Sequence, residues 1–160
     1  MSKNNKNFFK KKNEWSIIKD KLLGCYLMPY FQKVLMTGKP IFYVDCFAGK
    51  GKFDDGNDGS PLIALRIRED CLNKTSRGTK LGAIQTCFIE LNHASDLGTN
   101  IASILPSYDA PIVISGKYEK NIDSCLKDKK NCNVFLYIDP YGIKALQSGM
   151  FEKFRSYGFN

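Results

Sequence analysis

The sequence predicts an α/β fold: a doubly wound parallel sheet of about four strands, with an N-terminal helical segment in front of it. Three observations carry this. Four short apolar, β-rich runs are spread along the 160 residues. Stretches of helical character separate them. Each run ends in residues that do not belong in a core, at Asp45, at Glu90, at Ser115-Gly116 and at Asp139-Pro140. Strands alternating with helices place helices on both faces of a parallel sheet, and ligands then bind beyond the carboxyl ends of the strands.

In chain order, residues 15–36 read as helix, with Trp15, Ile18, Leu22, Tyr26 and Met28 as its apolar face. Pro29 is expected to kink or split it, and Gly38-Lys39-Pro40 ends it. Ile41-Phe42-Tyr43-Val44 is the first strand. A glycine-rich stretch covers 49–59, and Ser60-Pro61 then reads as an N-cap with proline in the first turn of a helix. Residues 73–82 form a polar loop, and 84–89 a second strand. A helix over 94 to about 105 is stopped by Pro106. Residues 111–114 form a third strand, 117–127 a helix, 134–138 a fourth and most apolar strand, and 143 to about 157 a last helix.

The net charge of +8 favours polyanions but does not specify a fold. Residues 1–13 carry Lys3, Lys6, Lys10, Lys11 and Lys12, and read as a solvated basic tail ahead of a single domain over 14–160. The six cysteines form no Cys-x-x-Cys pair and His93 is the one histidine, so structural zinc is not expected. No apolar run reaches bilayer length and no secretory leader is evident, which gives an expectation of no membrane association, reduced thiols and a cytoplasmic location.

The chemistry-bearing residues gather at strand ends. Asp45-Cys46-Phe47-Ala48-Gly49-Lys50-Gly51 joins a carboxylate to a turn that lets the backbone approach a ligand. It lacks the third glycine of the dinucleotide fingerprint and the Lys-Ser/Thr pair of a P-loop. Glu90, at the tip of the second strand, can accept from both ribose hydroxyls; Leu91 follows it, and Ser115 lies at the tip of the third strand. Asp139-Pro140-Tyr141-Gly142 presents a carboxylate and a ring from a stiffened turn. His93 reads as a helix-start or surface residue and Ser60 as a cap. Asp54, Asp55 and Asp58 form an acidic loop without the closing Glu of an EF-hand.

Taken together, these motifs resemble class I methyltransferases, and more narrowly the three-Cys-motif partner protein family, TcmP. The resemblance spans roughly residues 14–145. It rests on the Trp15 helix, Tyr43-Val44-Asp45-Cys46-Phe47-Ala48-Gly49-Lys50-Gly51, Gly59-Ser60-Pro61-Leu62-Ile63-Ala64-Leu65, Phe88-Ile89-Glu90, and Phe135-Leu136-Tyr137-Ile138-Asp139-Pro140-Tyr141-Gly142. It implies a Rossmann-like methyltransferase fold and a site for S-adenosylmethionine. Asp45, Phe47, Ala48, Gly49 and Gly51 would meet the methionine end, and Glu90, with Leu91 and Ser115, the adenosine. Asp139, Pro140 and Tyr141 are similar to the Asp-Pro-Pro-Tyr motif of amino-methyltransferases, with one proline absent. The resemblance also implies a partner protein carrying a three-cysteine motif.

A complete fold of that type has about seven strands, so the chain is expected to lack the C-terminal ones and to leave its fourth strand as an apolar edge. Two other readings stay open. One is a catalytically inactive or truncated module that acts through protein interaction. The other is a nucleic-acid-binding protein that uses its basic N-terminal arm.

Overall fold

Strands Ile41–Asp45 (β1), Ile84–Glu90 (β2), Ile112–Ser115 (β3) and Asn133–Tyr137 (β4) pair in parallel, in the order β3-β2-β1-β4. The computed structural model describes residues 9–75, 82–104, 108–140 and 148–156. The chain first steps outward from β1 to β2 and β3. It then returns to the other side of β1 with β4, and the winding direction reverses between β1 and β4. A reversal of this kind opens a crevice at the carboxyl ends of the two strands, because their connections leave in opposite directions.

Helices Glu14–Leu35 (α1), Ser60–Lys74 (α2), Ala94–Ala102 (α3), Tyr118–Leu126 (α4) and Ser148–Ser156 (α5) cover the sheet. The period-two alternation of each strand divides its side chains between two cores. Ile41, Tyr43, Ile84 and Phe88 pack with α1, α2 and α3. Phe42, Val44, Cys87 and Ile89 pack with α4, and Phe154 of α5 lies against the same cluster. Burial on both faces explains why β1 and β2 are almost continuously apolar in sequence. The expected α/β class, parallel sheet and N-terminal helix are all present, and among the described residues β4 is an edge strand, with each of its five residues half-buried.

Two expectations for α1 need correction. Pro29 does not split it: one helix runs from Glu14 to Leu35 through that position. That residue lies on the exposed side, where water can satisfy the carbonyl left without its N–H donor. The inward face also differs from the one expected. Leu23, Leu27 and Phe31 are buried, whereas Trp15 is 68% and Leu22 65% exposed, and Ile18 and Tyr26 are about half exposed. Both stripes have helical spacing, so periodicity alone could not choose between them.

The tail is the third correction. Residues 1–8 lie outside the described residues, but 9–13 are held against the body. The Asn13 side chain caps α1 by accepting from the Ser16 amide at 2.7 Å. The Lys12 ammonium is buried: it pairs with Asp20 and donates to the Asp58 carbonyl at 2.5 Å, while the Lys12 amide donates to Asp55 Oδ2 at 2.9 Å. The Asp20 carboxylate and the Asp58 carbonyl compensate this cation as it leaves solvent, while Lys10 and Lys11 remain exposed.

Arg68 of α2 is fully buried. Its guanidinium donates to Thr86 Oγ1 (3.1 Å), to the Asp109 carbonyl (2.9 Å) and to Glu69 Oε1 (2.7 Å from Nη2), tying α2 to β2 and to the segment leading into β3. Among the described residues, no helix is long and apolar enough to cross a membrane.

Candidate functional site

The parallel register sets the tips of four strands side by side: Asp45 lies opposite Phe88 and Tyr137, and Glu90 opposite Ser115. Beyond Asp45 the chain turns through Gly49 (φ +62°) and Gly51 (φ +77°), both in the left-handed region that only glycine enters without strain. This brings the Gly49 amide to Glu90, where it donates to Oε2 at 2.7 Å. Glu90 Oε1 accepts from the amides of Asn92 (2.9 Å) and His93 (3.2 Å). One carboxylate, 8% exposed, thus organises the loops that leave β1 and β2.

Two oxygens offer about four acceptor positions, and three are taken by backbone amides. The position left is on Oε2. Glu90 therefore has room for one further donor, not for both hydroxyls of a ribose.

Asp45 behaves differently from expectation. Its carboxyl is fully buried, with Oδ1 accepting from the Phe47 amide (3.0 Å) and Oδ2 from the Ser60 hydroxyl (2.6 Å). It cannot touch a ligand directly. It acts as the pin joining the β1 tip to the first turn of α2, where Gly59 occupies the cap position. Burial pushes its pKa up to about 7, only partly opposed by the Ser60 and Phe47 hydrogen bonds.

Phe47 also faces away from the Gly49 turn: its ring packs on Tyr118 of α4, with centroids 4.8 Å apart. The Ala48 amide donates to the Ile89 carbonyl at 3.2 Å and its side chain is buried. Leu91 is half exposed, and Ser115 is exposed at the β3 tip. The Gly116 amide donates to the Glu90 carbonyl at 2.9 Å, so this corner is continuous with the Glu90 loop. His93 begins α3, its ring 3.6 Å from Asp96, as a helix-start residue.

On the other side of β1, Asp139 stands at the β1/β4 crevice. Lys19 of α1 donates to its Oδ2 at 2.6 Å, and both side chains are about one-third exposed. The Tyr137 hydroxyl is 3.5 Å from the same oxygen. Asp20, one residue on in α1, has its pKa raised by burial. Pro140 follows Asp139, and Tyr141 lies outside the described residues. The structure therefore brings together Gly49, Gly51, Glu90, Leu91 and Ser115 around the β1–β2–β3 tips, with Asp139 across β1 from them.

Sequence reading missed the roof of this site. Phe9 packs edge-on against His93 (centroids 5.0 Å) and lies under the Lys50 ammonium (4.8 Å from Nζ to the centroid). The Phe9 carbonyl accepts from the Asp54 amide at 2.7 Å. A Cβ on Gly49 would lie 3.4 Å from the Phe9 ring. Approach to Gly49 from that side requires the ring to move. The signal lay in the Phe8-Phe9 pair beside the lysines, because an aromatic pair at the head of a basic arm has apolar surface to bury. The acids of the 54–58 loop are engaged as well, Asp58 with Arg66 (2.6 Å) and Asp54 with Lys50 (3.6 Å).

Comparison with family models, with curated proteins and with solved structures found no match.

Proposed function

We propose that this protein binds S-adenosylmethionine at the β1–β2–β3 tips and is methyltransferase-like, in the manner of the three-Cys-motif partner family that its motifs resemble. The observation that carries this reading is the Gly49–Glu90 bond. It puts a bare backbone bend and a carboxylate with one remaining acceptor position at adjacent parallel strand tips. Glu90 would take one ribose hydroxyl, the Gly49–Gly51 backbone would face the methionine end, and Leu91 and Ser115 would border the adenine. Asp45 supports the bend from within.

When bound, the cofactor supplies an activated methyl group on a sulfonium. The protein's part is positioning, since transfer to a nitrogen or oxygen needs alignment more than proton transfer. Asp139 would accept a hydrogen bond from the acceptor group, and Lys19 fixes the orientation of its carboxylate. The experiment is transfer from methyl-labelled cofactor to DNA, RNA and candidate partner proteins. Labelled product that disappears in Asp139→Ala supports a catalytic protein. Cofactor binding without transfer to any acceptor supports the second reading, a non-catalytic partner module, which the exposed α1 stripe from Trp15 to Tyr26 beside edge strand β4 favours.

A further inference from the structure

On the face of the sheet opposite α1, two thiols meet. Cys87 of β2 is fully buried and Cys125, in the last turn of α4, is 8% exposed. Their Sγ atoms are 3.1 Å apart, within hydrogen-bond contact, although 38 residues separate them in the chain. Each is a free thiol. We propose that Cys87 and Cys125 form a reversible dithiol/disulfide couple, with Cys125 as the thiol that attacks a small oxidant and Cys87 as the thiol that resolves it.

The roles follow from the surroundings. Cys125 sits on the helix and is the more accessible of the two, whereas Cys87 is inside a central strand with neighbours on both sides. With both groups protonated the Cys125 S–H donates to the Cys87 sulfur; once Cys125 ionises, the Cys87 S–H donates back to the thiolate, and this draws the Cys125 pKa below its usual value, with help from the charge of Lys129. The same contact and burial push Cys87 upward, keeping it a thiol until the second step. Lys129 is held close by a 2.7 Å bond to Gln85 Oε1, two residues before Cys87 on β2. A sulfenic acid formed beside a second thiol condenses with it to a disulfide.

With hydrogen peroxide as the oxidant, the Cys125 thiolate attacks one peroxide oxygen. The O–O bond breaks, the other oxygen leaves as hydroxide, and Cys125 becomes a sulfenic acid. The Cys87 sulfur then attacks the Cys125 sulfur, the S–O bond breaks, and the oxygen leaves as water with the Cys87 proton. In sum, two thiols and one peroxide give one disulfide and two waters. The product would staple α4 to β2 three residues before Glu90. Cys46 lies in the same buried cluster, and burial keeps it a thiol.

The test uses the folded full chain carrying Cys25→Ser, which removes the exposed thiol. It is treated with equimolar hydrogen peroxide, unfolded in N-ethylmaleimide and digested without reduction. The expected result is a peptide pair joined through Cys87 and Cys125, lighter by two hydrogens and released by dithiothreitol. Cys46, Cys71 and Cys132 should be alkylated. Cys125→Ser should leave Cys87 alkylated too. Full alkylation of both cysteines, oxidation of Cys125 to a sulfinic acid without a link, or a link through Cys46 instead would each overturn the proposal.

Discussion

The amide of Gly49 donates to Oε2 of Glu90 at 2.7 Å, and this bond makes the loops leaving β1 and β2 one structural unit. The same carboxylate holds the Asn92 and His93 amides, so the unit extends to the first turn of α3. Any ligand at the strand tips meets a surface whose shape this one side chain sets.

Glu90→Gln keeps the volume but replaces one acceptor oxygen with a donor that faces amide donors. The expected cost is about 1–3 kcal/mol, that of leaving a buried amide unpaired. Urea denaturation monitored by circular dichroism checks it. Loss of protection at the Gly49 amide in hydrogen exchange would locate the damage.

Asp45 makes stability depend on pH. Its pKa is 3.8 when unfolded and about 7 when folded. Between these values the native state keeps a proton that the unfolded chain has released, so this group's contribution is full below pH 4 and is lost as pH rises through 7. The loss is up to roughly 4 kcal/mol, since each tenfold difference in proton affinity between the two states is worth about 1.4 kcal/mol. Asp45→Asn, which can still accept from the Phe47 amide, should lack this slope and be more stable than the parent at pH 8. Denaturation midpoints for both proteins from pH 4 to 8 measure the difference. Using the difference removes the contribution of Asp20, which has the same sign.

Gly51→Ala meets two obstacles: a φ of +77° and a Cβ that would lie 2.7 Å from Leu97 Cδ1. Gly38 has nearly the same φ, +76°, with nothing within 4 Å of its Cβ, and so isolates the backbone contribution. The left-handed conformation alone costs about 1–2 kcal/mol. Gly51→Ala should exceed Gly38→Ala by roughly 1 kcal/mol or more, the cost of displacing Leu97 from the core. Paired thermal melts decide it.

Arg68→Met leaves Thr86 Oγ1 and the Asp109 carbonyl without their guanidinium donors, and Glu69 without its paired cation. The expected destabilisation is about 3 kcal/mol, as for breaking a buried charge pair from one side. Equilibrium unfolding measures it. Arg68→Lys should not rescue, because one ammonium cannot span the same partners.

The fold was legible because its strands are apolar runs with polar tips, a pattern that burial on both sheet faces enforces. Glu90 and the Gly49–Gly51 bend could be read as a pair for the same reason, since parallel strands carry their tips to one edge. The inward face of α1 was not legible: Trp15–Tyr26 and Leu23–Phe31 follow the same period, and it is the packing of α2 and of Tyr43 of β1 against Leu23, Leu27 and Phe31 that selects the second stripe. Nor was Lys12 legible, because its burial depends on α1, which carries Asp20, and the 54–58 loop, which carries Asp55 and Asp58, converging on it. Asp45 was recognised as a tip residue, but the Ser60 hydroxyl that turns it inward arrives only with the folded α2.

The most direct test of cofactor binding at the strand tips is a titration of the folded protein with S-adenosylhomocysteine, the unreactive product form, followed by backbone amide resonances. Saturable one-to-one binding is expected, with shifts centred on Gly49, Gly51 and Asn92. Glu90→Gln, confirmed folded by its own spectrum, should weaken it by about tenfold, or about 1.4 kcal/mol. No saturable binding, or shifts confined to the exposed stripe of α1, would contradict a site at these tips.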